Sequence, residues 1–124
     1  MVIYAMFEGK LIGSYKMKKH VCYVLTLMEQ DIINYITENC WFLGSMEDAW
    51  AFTLTGNDLK NQHLILLSDE LLRENAEQIH YTIAHEIGHV ILKHRNSILK
   101  VQDKKEIAKQ EQEADDFAKK YIHA

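Results

Sequence analysis

The sequence contains no proline and only five glycines, and no stretch of it has the composition of a linker. For a chain of 124 residues, this pattern predicts a single domain over residues 1–124. Only two cysteines occur, Cys22 and Cys40, and they form no C-x-x-C pair. A disulfide scaffold or a thiolate zinc site requires more cysteines than this, so we expect two reduced thiols.

Long apolar runs and an excess of positive charge are also missing. Glu8 and Lys10 interrupt the apolar N-terminal stretch, so the sequence lacks the continuous core of a signal peptide. No apolar run approaches the roughly 18–20 residues that span a bilayer. The formal net charge of −4 gives no basic field to attract nucleic acid or anionic lipid. We therefore expect a cytoplasmic protein that binds neither membranes nor nucleic acid directly.

The first half of the chain is predicted to form mostly strands. Glu8–Lys10 lies between two apolar segments, as the turn of a hairpin would, and residues 55–58 are turn-like in composition. A helical spacing of apolar residues occurs only over Glu29–Asn39. The strand candidates are Ile3–Phe7, Leu11–Tyr15, Val21–Leu27, Ala49–Thr55 and His63–Leu67.

The second half of the chain is predicted to be helical. Ser68 can cap a short helix over Asp69–Glu74, and longer helical patterns follow over Glu77–Arg95 and Asp103–Ile122. Strands that come first and helices that come last indicate an α+β fold. We expect a mostly antiparallel N-terminal sheet, followed by an active-site helix and a C-terminal helix.

The first long helix contains the segment His85–His89, with the sequence HEIGH. On a helical wheel, His85 and His89 lie one turn apart on the side opposite the apolar stripe, so both imidazoles can bind one Zn²⁺. Glu86 is displaced by one residue, which suits a general base that takes a proton from a zinc-bound water. The apolar stripe consists of Ile79, Ile83, Ile87, Val90 and Ile91.

A catalytic zinc site usually has three protein ligands, so one more is expected. His94 is the nearest histidine, but the metzincin pattern would place a ligand where Arg95 stands, and we interpret His94 as a structural residue near a helix end. On the second helix, Glu111 falls within the apolar stripe, where a carboxylate requires a partner or a metal. We therefore expect Glu111 to be the third ligand and keep Glu113 as the alternative.

Two further residues have a possible part in the site. Asp115 lies four residues after Glu111 on the same flank and could accept a hydrogen bond from a ligating histidine. Tyr81 lies on the ligand side of its helix and is a candidate oxyanion donor. Imidazole and carboxylate ligands suit zinc best, although such sites also accept Mn, Co or Fe.

The HEIGH segment and the downstream residues 111–118, with the sequence EQEADDFA, together resemble the ImmA/IrrE-type metallopeptidases. The lead-in Tyr81–Ala84 is similar to that family as well, and the resemblance covers roughly residues 63–122. It implies a zincin-like fold and a zinc-dependent endopeptidase. It also implies a protein substrate, such as a helix-turn-helix transcriptional repressor of a phage, a mobile element or a stress response.

The same resemblance implies roles for individual residues. His85 and His89 match the histidine ligands, Glu86 the catalytic glutamate and Glu111 the acidic ligand. The segment His63–Leu67 resembles the edge strand beside which zincins bind an extended substrate.

A non-catalytic function is the alternative to a peptidase. A zinc-stabilised module could sequester a regulatory protein, or act as a toxin–antitoxin component, without cutting its partner. Glu86 argues against this alternative, because a structural zinc site needs no general base. Structural sites also usually fill all four zinc positions with protein ligands.

Overall fold

The computed structural model of the chain describes residues 2–44, 51–54, 63–92 and 104–122. Within these ranges the chain forms five helices, four strands and one turn of 3-10 helix at Leu71–Arg73. The helices are α1 (Val2–Met6), α2 (Tyr15–Thr26), α3 (Gln30–Asn39), α4 (Ala76–Ile91) and α5 (Lys104–Tyr121). The strands are β1 (Leu11–Ile12), β2 (Cys40–Gly44), β3 (Ala51–Leu54) and β4 (His63–Leu67).

The four strands form one mixed sheet in the order β1-β2-β4-β3. β2 runs parallel to both β1 and β4, whereas β3 runs antiparallel to β4, with Ala51 opposite Leu67. The predicted α+β class is therefore confirmed, but the expectation of a mostly antiparallel sheet is wrong. The connection from β1 to β2 contains α2 and α3, and a helical crossover of this kind joins parallel strands.

The sheet order also corrects the prediction about the edge strand. His63–Leu67 does form a strand, but this strand, β4, lies between β2 and β3 and is not at an edge. Among the strands that the structure describes, β3 is the one at that end of the sheet. α4 contacts β3, so the strand at this end of the sheet lies beside the helix that carries the HEIGH segment.

The predicted strand at Val21–Leu27 is wrong, because these residues lie in or directly after α2. The side chain of Ser14 accepts a hydrogen bond from the backbone N–H of Met17 and so begins the helix. The buried residues of α2 recur at helical spacing, which allows one face to pack on the core despite several β-branched residues. They are Met17, Val21, Cys22, Val24 and Leu25.

The N-terminal segment is also a helix, where the strand Ile3–Phe7 was predicted. Ile3 and Met6 pack against the core and Phe7 is fully buried, whereas the intervening side chains are exposed, which is a helical and not an alternating pattern. The predicted strand Leu11–Tyr15 is reduced to the two residues of β1, so the predicted hairpin does not form.

The remaining predictions hold more closely. α3, β3, β4, α4 and α5 lie where a helix or a strand was expected, although residues 49–50, 55–58, 93–95 and 103 lie outside the described ranges. The Ser68 hydroxyl accepts a hydrogen bond from the backbone N–H of Leu71, but this segment forms only a single 3-10 turn and not the predicted helix over Asp69–Glu74.

The core lies between the sheet and the surrounding helices. Phe7 and Phe42 meet edge to face with ring centroids 5.6 Å apart, joining the segment after α1 to β2. Cys22 and Cys40 are buried free thiols. Across the part of the chain that is described, no helix combines the length and the apolar character needed to cross a bilayer.

Candidate metal centre

Helix α4 begins at a side-chain cap and packs its predicted apolar stripe into the core. The Asn75 side chain accepts a hydrogen bond from the backbone N–H of Gln78, which satisfies one of the free donors of the first turn. Ile79, Ile83, Ile87 and Val90 are buried, as the wheel predicts. With this face fixed, His85 turns towards α5.

Helix α5 packs closely against α4 because small residues line the contact. Ala114 and Ala118 are fully buried on α5. On α4, a Cβ atom added at Gly88 would lie 3.0 Å from Cδ1 of Phe117 and 3.2 Å from its Cβ. Gly88 therefore leaves room for Phe117, and the close approach of the two helices brings the acidic residues of α5 to the histidines of α4.

Three potential metal ligands meet where α4 and α5 face each other. The Nε2 atoms of His85 and His89 lie 3.2 Å apart, and Oε2 of Glu111 lies 3.4 Å and 2.6 Å from them, respectively. One ligand atom from each residue falls within 4.8 Å of the other two, which is close enough to bind one metal ion. The structure thus brings together the three residues that the sequence analysis selected.

Asp115 holds the other side of the His85 ring. Its Oδ1 atom lies 2.9 Å from Nδ1 of His85, and the Tyr81 hydroxyl donates to the same oxygen, also at 2.9 Å. Because an ionised carboxylate can only accept, the hydrogen of neutral His85 lies on Nδ1 and the lone pair on Nε2, facing Glu111 and His89. The expected contact between Asp115 and one of the two candidate ligand histidines is therefore present.

The Tyr81 hydroxyl is not placed to act as the oxyanion donor that the sequence analysis suggested. Its hydrogen is directed at Asp115, so it is not available to an oxyanion in this arrangement. Burial, together with this hydrogen bond, raises the pKa of Tyr81 to about 12, so the hydroxyl keeps its hydrogen at neutral pH. The wheel placed Tyr81 on the correct side of α4, but its partner on α5 was missed. The one-turn spacing of Tyr81 and His85 shows that they are neighbours on α4, but not which residue of α5 they contact.

The site lies between the buried core and the solvent. The side chains of His89 and His85 are 7% and 15% exposed, whereas that of Glu111 is 53% exposed. The expectation that Glu111 lies on a buried stripe is therefore wrong, and Ile107, one turn earlier, is also exposed. The wheel gave the correct direction for Glu111 but not its depth, because the N-terminal half of α5 remains at the surface.

The other predicted site residues have different surroundings. Glu86, which lies between His85 and His89 in the sequence, is buried on α4. Glu113, the alternative ligand, is exposed and does not belong to the group of ligand atoms found in the described ranges. His94 lies outside the described residues.

A histidine pair that the sequence analysis missed connects α4 to α2. Nδ1 of His20 lies 2.9 Å from Nε2 of His80, and the Tyr23 ring packs on His80 with centroids 4.6 Å apart. Burial lowers the pKa of both histidines, and the charges of His80, Lys16 and Lys19 lower that of His20 further. A neutral pair, with one nitrogen donating to the other, is the form that fits this contact.

We predict that this pair makes the fold less stable in mild acid. The pKa values of His20 and His80 are lower in the folded protein than in the unfolded chain, so the unfolded chain binds more protons than the folded protein once the pH falls below about 6.5. The free energy of unfolding then decreases by at most about 1.4 kcal/mol per pH unit for each additional proton. Urea unfolding of the metal-free protein between pH 7.5 and 5 should show a smaller decrease for His80→Gln than for wild type. Tyr23→Phe should retain the wild-type decrease, and equal slopes in all three proteins would contradict the prediction.

Comparison with known proteins gives one match. The family Peptidase U49 matches residues 75–124, which is less than half of the chain but includes α4, α5 and every residue of the candidate metal centre. No curated protein and no solved structure matches the chain. The family match supports the broader expectation of a peptidase, a hydrolase of peptide bonds, without naming the ImmA/IrrE type.

Proposed function

We propose that this chain is a zinc-dependent endopeptidase. The observation that carries the proposal is the convergence of His85 Nε2, His89 Nε2 and Glu111 Oε2 at the contact of α4 and α5. The match of the same two helices to a peptidase family supports it independently. Two histidines and a carboxylate are also the ligand set of one well-known class of catalytic zinc site.

Two of the three separations between the ligand atoms are close to those expected around a tetrahedral ion. Atoms bound to zinc at about 2.0–2.2 Å in a tetrahedron lie about 3.3–3.6 Å from each other. The 3.4 Å between His85 Nε2 and Glu111 Oε2 falls in this range, and the 3.2 Å between the two Nε2 atoms is just below it. The 2.6 Å between His89 Nε2 and Glu111 Oε2 would have to lengthen by about 0.7–1.0 Å, through an outward shift of Glu111. Since the Glu111 side chain is half exposed, such a shift meets little packing resistance.

Each residue has a role in hydrolysis under this proposal. A zinc ion held by His85, His89 and Glu111 would supply Lewis acidity, which would activate a water molecule and polarise the carbonyl that is attacked. Glu86 accepts the proton of the attacking water on a carboxylate oxygen and delivers it to the nitrogen of the leaving amine. Asp115 keeps the hydrogen of His85 on Nδ1, so that Nε2 stays available as a ligand.

The sheet suggests how a substrate binds. Among the described strands, β3 lies at the end of the sheet beside α4, and a strand in such a position can pair with an extended peptide through backbone hydrogen bonds. We propose that the substrate is a segment of a protein held in this way along β3. The sequence resemblance implies instead that the substrate lies beside His63–Leu67, which forms β4. A helix-turn-helix repressor, the partner implied by the sequence resemblance, belongs to this class of substrate.

Metal content tests the proposal directly. Protein purified without a histidine tag, incubated with zinc and freed of excess metal, should contain about one equivalent in the wild type. Glu111→Ala should lose most of it, because loss of one of three ligands leaves only two. Glu113→Ala removes a carboxylate two residues away on the exposed surface and should keep the metal. A wild-type protein that binds no metal would refute the assigned site. So would an equal loss of metal from Glu111→Ala and Glu113→Ala.

A further inference from the structure

The hydroxyl of Tyr81 is connected to the metal centre through a chain of two hydrogen bonds. It donates to Oδ1 of Asp115 at 2.9 Å, and the same oxygen lies 2.9 Å from Nδ1 of His85. The Tyr81 and His85 rings, one helical turn apart on α4, are close to each other, with centroids 6.4 Å apart and planes inclined by 34°. One carboxylate oxygen on α5 therefore joins two neighbouring side chains of α4.

Asp115 needs this second contact to hold a single position. Its side chain is 38% exposed, so packing restricts it only in part, and a carboxylate with one hydrogen bond could rotate away from His85 into water. The Tyr81 ring is partly buried and packs against the core. A donor fixed in this way limits where the Asp115 oxygen can lie.

We propose that Tyr81 is a positioning residue for the metal centre, which sets the affinity for the metal by holding Asp115 against His85. The inference rests on the proposed function, because it assigns a purpose to Tyr81 only if His85 binds a metal. It also differs from the earlier expectation that this hydroxyl stabilises an oxyanion. Tyr81 does not touch the metal or the substrate, and it acts on His85 only through Asp115.

The position of His85 makes this assistance necessary. Of the two histidine side chains, His85 is the more exposed, and its Nδ1 lies at the side where α5 approaches. Removing a partner that hydrogen-bonds the ring nitrogen not bound to the metal typically lowers metal affinity about 10- to 100-fold. Tyr81 is one hydrogen bond further from the metal than Asp115, so we expect its removal to weaken metal affinity by a smaller factor of about 3- to 10-fold.

The chain contains a matched control. Tyr121 also donates its hydroxyl to a carboxylate, that of Glu29, and its pKa is likewise raised to about 12 by burial and by this hydrogen bond. Tyr121 lies at the C-terminal end of α5, about 15 Å along the helix from Glu111. Tyr121→Phe thus removes the same kind of hydrogen bond without contact with the metal centre.

The test measures zinc affinity by competition with a chromophoric chelator, and the visible absorption spectrum of the Co²⁺-loaded protein, for Tyr81→Phe and Tyr121→Phe. Tyr81→Phe should bind zinc about 3- to 10-fold more weakly and change the Co²⁺ spectrum, whereas Tyr121→Phe should match wild type in both. Equal affinities in the two variants would overturn the proposal. If the wild type binds neither zinc nor Co²⁺, the proposed function itself is refuted. That outcome differs from equal zinc affinities in the two variants, which would refute only the role of Tyr81.

A double-mutant cycle tests whether Tyr81 acts through Asp115. If it does, adding Tyr81→Phe to Asp115→Ala should weaken zinc binding no further than Asp115→Ala alone. An additional loss equal to that of Tyr81→Phe in wild type would mean that Tyr81 affects the metal by another route, and would also overturn the proposal. Circular dichroism of each variant shows whether the helices remain folded, so that a loss of affinity is not mistaken for unfolding.

Discussion

Replacing Glu86 with glutamine should abolish peptide cleavage while leaving one equivalent of metal bound. Glutamine has nearly the same shape as glutamate, so the buried position in α4 remains filled, but an amide cannot accept and return the proton of water. General acid–base catalysis typically contributes about 10²- to 10⁴-fold, so cleavage should fall by at least 10²-fold. The assay is incubation with a peptide library from a digested proteome, followed by mass spectrometry of new peptide ends.

The control for this experiment is Glu77→Gln. Glu77 lies in the first turn of the same helix and is exposed, so the same chemical change should leave both metal content and cleavage at wild-type values. Wild-type cleavage by Glu86→Gln would refute the role assigned to Glu86. If the zinc-loaded wild type itself fails to cut any peptide, the non-catalytic alternative, a module that sequesters its partner, becomes the better explanation.

The helices that form the site could be predicted from the sequence because local and tertiary signals agree there. Asn75 caps α4, and the apolar residues of this helix recur at helical spacing and are buried. The choice of Glu111 over Glu113 followed from the same geometry, since positions two apart on a helix point in nearly opposite directions. The exposure of Glu111 could not be predicted, because a wheel does not show how far the neighbouring helix extends.

The N-terminal half was predicted poorly because two signals conflict there. Val21–Leu27 contains β-branched and aromatic residues that favour a strand, yet the burial of Val21, Val24 and Leu25 follows a helical pattern. Packing in the core, chiefly against α4, therefore overrides local propensity in α2. The direction of the strands was also out of reach, because it follows from the helical connection between β1 and β2, and those helices were only partly recognised.

The contacts of Tyr81 and of the His20–His80 pair could not be read from the sequence for a different reason. Each depends on the distance between two helices that are far apart in the chain, α4 with α5 or α4 with α2. The sequence shows which face of a helix a residue occupies, but the partner on the other helix depends on their relative rotation and spacing. Gly88 shows how much this spacing matters, since one added carbon there would meet Phe117.

Removing the metal with a chelator should lower the thermal unfolding midpoint of the wild type by about 10 °C or more. A ligand that binds only the folded state at 1,000 times its dissociation constant adds about 4 kcal/mol to the free energy of unfolding. For a domain of this size, each kcal/mol changes the midpoint by about 3–5 °C. The measurement is differential scanning calorimetry of zinc-loaded protein with and without excess EDTA.

The effect should be concentrated in α5. Besides the packing of its small residues and Phe117 and the hydrogen bond from Tyr81 to Asp115, this helix is held to α4 at the metal centre, where Glu111 meets the two histidines. Hydrogen exchange after chelation should therefore rise more over α5 than over α2, which is packed in the core. Glu111→Ala should show neither change with EDTA, since it lacks the site. An equal drop in the midpoint of Glu111→Ala would place the stabilising metal elsewhere.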